Sequence, residues 1–150
     1  MEPPVRQDME LTIRQDCIGH EAALAAVAAA VRAGLAMGVA VNAAVVDAGC
    51  NPAGFLRAPG AFLHSIAIAE DKAYTAVSFG MPTADLYRLI QDNPGLRDGL
   101  IRRDRLAAFA GGFPIIVEGR VVGGIGVSGA SEEQDCLCAK AGLAALGLSI

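Results

Sequence analysis

Along the chain, stretches whose apolar residues recur every three or four positions alternate with short runs almost free of polar side chains. Cys17, His20, Leu24, Val27, Val31 and Leu35 return at such steps and form one stripe of an amphipathic helix. Thr12, followed three residues later by Gln15, has the form of a capping box and places that helix's start near Ile13; Gly38 ends it. Residues 39–47 are valine-dominated, the pattern of a buried strand, and a turn at 48–52 leads to a return strand at 53–57. A second helix is expected over 62–79, with Phe62, Ile66, Ala69, Ala73 and Val77 as its seam. Gly80-Met81-Pro82 stops it, and Thr83 opens a third helix reaching Gln91. Residues 92–105 have no clean period, and Arg97, Arg102, Arg103 and Arg105 mark them as a solvated or interfacial loop. Gly111-Gly112 opens a hairpin of strands 113–117 and 120–127, turning at Glu118-Gly119. Ser131-Glu132-Glu133-Gln134 is a second capping box and starts a helix that runs to Leu146. Hairpins joined by helices predict an α+β domain, an antiparallel sheet covered by helices.

Composition adds a size argument. A length of 150 residues fits one domain, here a tail at 1–10 and a domain over 11–150, and 53% apolar content excludes a disordered chain. Twenty-nine alanines and 18 glycines, with no tryptophan, allow close approach of elements but supply little bulk. Such a core is expected to recruit area from a second subunit. A net charge of −4 and only seven aromatics argue against nucleic acid as a partner, which needs a basic groove or stacking platforms.

From the polar, proline-bearing N-terminus no signal peptide is expected. The apolar run at 22–46 contains Arg32, which at bilayer depth costs about 2.5 kcal/mol or more, so no membrane span is expected. Cys136 and Cys138 form C-x-C, which a helix would turn to opposite faces, so no structural metal is expected. With Cys17 and Cys50 they read as free thiols of a cytoplasmic protein.

Three motifs bear on chemistry. Gly124-Ile125-Gly126-Val127-Ser128-Gly129 matches G-x-G-x-x-G, but no later strand or ribose-binding acid follows, and Glu132, Glu133 and Asp135 would repel a phosphate. Those glycines read as clearance for a helix or a ligand. His20, on the apolar stripe, reads either as a packed histidine or as an axial ligand to a tetrapyrrole. His64, Ile68, Asp71 and Thr75 share a face of the second helix, with Lys72 adjacent; His64 and Asp71 are two turns, roughly 10 Å, apart and cannot pair. A buried Lys72 would have a lowered pKa or pair with an acid. No catalytic triad follows from spacing.

Val45-Val46-Asp47-Ala48-Gly49, Arg57, Gly60-Ala61 and Ile68 to Ala76 form the first half of a longer signature. Gly111-Gly112-Phe113-Pro114, Gly123 to Gly129 and Gln134-Asp135 complete it. Together they resemble the GlcG/HbpS-like family, which includes haem-binding HbpS proteins and the C-terminal domain of PduO-type adenosyltransferases. The resemblance covers residues 11 to 147. It implies profilin-like α/β/α layers with a five-stranded antiparallel sheet, a homo-oligomer from dimer to octamer, and binding of haem, with a corrinoid or flavin behind it. Phe62-Leu63-His64-Ser65 and Ser131 to Cys136 resemble the small members that accompany aromatic-ring degradation. On this reading His20 or His64 is the haem-iron ligand and the sole metal contact. Arg57 or Lys72 pairs a propionate or carboxylate, and Gly112, Gly124 and Gly126 give clearance. The competing reading is a small enzyme for a carboxylate from ring cleavage, tautomerase- or hydrolase-like. It has His64 as acid/base, Lys72 and Arg57 as carboxylate anchors, and Asp135 orienting.

Overall fold

A computed structural model describes residues 1–4 and 8–150. Val5, Arg6 and Gln7, part of the expected N-terminal tail, lie outside the described residues. In chain order the elements are α1 (His20–Ala36), β1 (Asn42–Asp47), β2 (Pro52–Arg57), α2 (His64–Phe79) and α3 (Thr83–Ile90). They continue with α4 (Pro94–Leu100), β3 (Gly112–Val117), β4 (Arg120–Ser128) and α5 (Glu132–Ala145).

Among the described residues the antiparallel sheet has four strands, in the order β2-β1-β4-β3, which corrects the expected five. The chain before α1 adds no ladder: among the described residues its one backbone bond to the sheet runs from Ile18 N–H to the Val122 carbonyl. That bond, with the 2.6 Å ion pair of Asp16 to Arg120, also explains why α1 starts at His20 and not near Ile13. Residues committed to the sheet cannot also supply a helical first turn, so the Thr12/Gln15 pattern goes unused.

Alternation along β1 sends Ala43 and Val45 into the main core with α1 and α5. Asn42, Ala44 and Val46 share the opposite face with Gly124, Gly126 and Ser128, their partners on β4. Helix α2 covers that second face. A Cβ added at Gly126 would run into the Ala69 carbonyl of α2, one at Gly124 would lie 2.6 Å from the Ala73 carbonyl, and one at Gly112 2.6 Å from the Lys72 carbonyl. The clearance read for Gly112, Gly124 and Gly126 is thus filled by the helix backbone.

On the other face, α1 buries Ala23, Ala26, Val27, Ala30, Val31 and Gly34. The expected stripe shared only Val27 and Val31 with this set. Leu24 and Leu35 are 66% and 56% exposed, and Cys17 and His20 are exposed too. Packing distance decides this: α1 lies so near β2 and α5 that a Cβ on Gly54 would be 3.2 Å from the Ala23 backbone and one on Gly142 2.9 Å from the Ala26 carbonyl. Only alanine-sized side chains fit there. The seam of α2 shifts likewise, since Ala69 and Ala73 are buried while Phe62 is exposed.

The stretch read as a loop at 92–105 contains α4, capped by Asn93, whose side chain accepts from Leu96 N–H at 3.2 Å, with Pro94 in its first turn. It buries no residue, so hydrophobic period could not reveal it. The Ser131/Gln134 capping box forms as expected: the Ser131 hydroxyl accepts from Gln134 N–H at 3.1 Å, and the Gln134 side chain accepts from Ser131 N–H at 3.2 Å.

Candidate functional site

Lys72, in the middle of α2, is fully buried. Its Nζ donates to Asp135 Oδ2 at 3.0 Å and to the Val127 carbonyl at 2.8 Å, and stands 4.7 Å from the centroid of the Phe109 ring. All three ammonium hydrogens therefore have an acceptor or a π-face. Asp135, in the first turn of α5, accepts from Ala130 N–H through Oδ1 at 3.0 Å. Burial pushes the Lys72 ammonium down from the usual lysine range against the opposing pull of Asp135. Burial raises the Asp135 carboxyl, against the pull of Lys72. The pair ties the helix on one face of the sheet to the first turn of a helix on the other. Spacing could not show this partnership across 63 residues.

His64 begins α2 and is exposed, eight residues from Lys72, roughly 12 Å along the helix. The three groups of the acid/base reading, His64, Lys72 and Asp135, are thus split between an exposed helix end and a closed buried pair. His20 begins α1, beside the start of β4; α2 begins beside Asn42, at the far end of the ladder. The two histidines lie on opposite faces and at opposite ends of the sheet, so one chain cannot present both to one iron.

A groove of about 660 Å³ opens beside the start of α1. Its walls are Cys17, Ile18, Gly19 and Ala22 on one side and Leu146 and Leu148 on the other, with Ile115, Val117 and Val122 as its floor. Asp16 and Glu118 also line it. Its volume lies within the roughly 300–1,000 Å³ common for small-molecule sites, and its lining is mainly apolar. His20 falls between two lining residues, Gly19 and Ala22, and Cys17 is an exposed free thiol. Arg120 is held at its edge through Asp16. Arg57, by contrast, pairs in register with Asn42 on the α2 face at the other end of the sheet, and its Nη2 donates to the Ala61 carbonyl at 2.7 Å. It cannot serve a ligand in this groove. Sequence reasoning missed the groove because the segment before α1 and the chain after α5 form its walls together. No cluster of three or more metal-ligating side chains occurs among the described residues.

One antiparallel sheet with α1 and α5 on one face and α2, with α3 beside it, on the other defines a small α+β protein whose open groove, rather than its buried ion pair, can admit a ligand. Residues 18–144 match the family model described as haem degrading protein HbpS-like, and the chain belongs to that family. The HbpS of Streptomyces reticuli, solved as a double mutant, is 37% identical, with 99% of each chain covered and a TM-score of 0.84. A solved complex of PduOC with haem is 30% identical over 86% of this chain and 94% of that one, with a TM-score of 0.78. The corrinoid adenosyltransferase PduO of Citrobacter freundii is 34% identical over 107 residues, covering 69% of this chain and 31% of its own length. No helix among the described residues is long and apolar enough to cross a membrane.

Proposed function

We propose that this protein binds a tetrapyrrole, haem in the first place and a corrinoid in the second, in the groove at the start of α1. The observation that carries the reading is the 660 Å³ apolar groove in a chain whose structural neighbours include a PduOC–haem complex. The residues fit such a group. Ile18, Ala22, Ile115, Val122 and Leu148 offer apolar contact to a flat ring; His20, in sequence between the lining residues Gly19 and Ala22, would supply an imidazole, and Arg120, paired with the lining residue Asp16, a cation for a propionate. Bound haem would bring a redox-active iron; the chain's own part is to exclude water from the ring and hold the iron through His20.

On this reading the protein works as a homo-oligomer in the cytoplasm with an accessory role in a catabolic pathway, that of aromatic-ring degradation by its Phe62-Leu63-His64-Ser65 wording. The exposed Leu24 and Leu35 on α1 support self-association, and the four free cysteines support a reducing compartment. Titration of the protein with ferric haemin, followed in the Soret region, tests the binding. A Soret shift that His20→Ala abolishes and His64→Ala leaves intact is the expected result. No shift in the parent protein, or a shift that His20→Ala leaves unchanged, overturns it.

A further inference from the structure

A second cavity, of about 490 Å³, shares no lining residue with the groove. The two stand at different ends of the sheet: the groove is floored by Val122 near the start of β4, while Lys72, beneath the second cavity, bonds the Val127 carbonyl near its end. Tyr87 and Arg88 of α3, Phe109 of the segment before β3 and Glu132 of α5 line this cavity, and three alanines complete its wall. Tyr87 and Phe109 are 45% and 42% exposed. A ligand entering here meets two aromatic rings, methyl groups and a carboxylate, in a volume ordinary for a small-molecule site.

The cavity is preformed, because the backbone at 107–110 is pinned from three sides. Ala107 N–H donates to Thr75 Oγ1 at 3.0 Å, the Thr83 hydroxyl to the Phe109 carbonyl at 2.6 Å, and Ala110 N–H to Glu132 Oε1 at 2.9 Å. The charges around it pair off, save the acids of α5. Lys72 Nζ lies on the inner side of the Phe109 ring, 4.7 Å from its centroid, and is neutralised by Asp135. Arg88 Nη1 donates to Asp85 Oδ1 at 2.6 Å. Neither Glu132 nor Glu133 has a cationic partner among the described residues. The N-terminus of α5 contributes about half a positive charge, less than these two carboxylates oppose to it.

We propose that this cavity binds a small quaternary ammonium compound, with Tyr87 and Phe109 as aromatic walls and Glu132 as counter-charge. The negative face of an aromatic ring attracts a cation held within about 6 Å of its centroid. Because Lys72 and Asp135 cancel, the outer face of Phe109 keeps that attraction. A methylated nitrogen carries no N–H, so it asks for no acceptor from the alanine walls, where a primary ammonium strands its donors. Glu132 and Glu133 disfavour an anion, and a neutral ligand gains nothing from either the rings' charge distribution or the carboxylate. With no residue in common with the groove, the site stands or falls independently of tetrapyrrole binding.

The test is an NMR titration of the full chain with choline, against its neutral isostere 3,3-dimethyl-1-butanol and its primary amine counterpart ethanolamine. Choline is expected to give saturable shifts of the Tyr87, Phe109, Ala110 and Glu132 amides while those of Ile18 and Val122 in the groove stay in place. The isostere, which lacks the charge, should bind roughly tenfold more weakly, and ethanolamine should also bind more weakly. Tyr87→Leu, which removes one exposed ring, should weaken choline roughly fivefold. Glu132→Gln, which keeps an acceptor for Ala110 N–H but not the charge, should weaken it roughly threefold. The absence of saturable shifts at these amides overturns the proposal. So does binding of the isostere or of ethanolamine as tight as that of choline, or a Tyr87→Leu variant that binds choline like the parent.

Discussion

Lys72 Nζ and Asp135 Oδ2 meet at 3.0 Å across the thickness of the molecule, one reaching in from α2 and the other from α5. Both side chains are almost wholly inaccessible, so the pair trades a large desolvation cost for attraction in a low-dielectric interior. Removing one partner strands the other's charge. Lys72→Met or Asp135→Leu alone is expected to cost about 3–5 kcal/mol in urea unfolding, whereas the double variant should lie near the parent or above it.

The pH dependence follows from the direction of the shifts. Asp135 has its carboxyl raised, so its proton contributes stability that is full below the ordinary carboxylate value of about 4 and is lost as pH rises through the folded value. Lys72 is lowered, so its contribution is full above the ordinary lysine value of about 10 and is lost as pH falls through the folded one. The stability difference between the double variant and the parent should favour the double variant most at neutral pH. It should move toward the parent at both extremes. A difference flat from acid to alkaline pH would show that the pair bears no net burial cost.

The sheet glycines give a packing prediction. Gly126→Ala aims a methyl at the Ala69 carbonyl, a backbone atom that cannot move alone, and should cost about 1–3 kcal/mol. Gly99→Ala, in exposed α4 with nothing within 4 Å, should instead stabilise by up to about 1 kcal/mol. Thermal unfolding of the two variants separates close packing from general glycine effects.

Self-association should depend on the outer surface of α1. Leu24 and Leu35 are eleven residues apart, three turns, and therefore on one side of the helix. Leu24→Glu with Leu35→Glu is expected to lower the mass seen in light scattering after size exclusion while leaving the unfolding temperature of the remaining species close to that of the parent. An unchanged mass would remove this face from the assembly.

Thiol reactivity should order itself by burial. Cys138, buried and pushed up to about 11 by desolvation, should resist a disulfide reagent until the protein unfolds. Cys17 should react first, with Cys50 and Cys136 between, their thiols raised by partial burial. Bound haemin should slow the Cys17 reaction, since that residue lines the proposed site.

Much of the architecture was legible where local rules and burial agree. Ser131 and Gln134 form their capping box in full, β1 is the valine-rich run, and the β3–β4 hairpin turns at Glu118-Gly119. Failures came where tertiary contacts override local signals. The Thr12/Gln15 pattern lost to Ile18 and Asp16 binding the sheet, and the large residues Leu24 and Leu35 faced outward because α1 packs at alanine distance. Helix α4 had legible signals, an Asn93 cap and Pro94 in its first turn, beneath the noise of an arginine-rich stretch. Within the site, the residue types were readable but their grouping was not. Lys72 and Asp135 belong together, Arg57 belongs with Asn42, and His20 and His64 belong to different ends.

Tetrapyrrole binding in the α1 groove is tested most directly by paramagnetic broadening. Ferric haemin added to isotopically labelled protein should bleach the amide signals of Cys17, Ile18, Ala22 and Val122, which surround the groove, while Leu63 and Ser65 at the far end keep theirs. Broadening centred on residues 62–65, or spread evenly over the surface, would contradict the account.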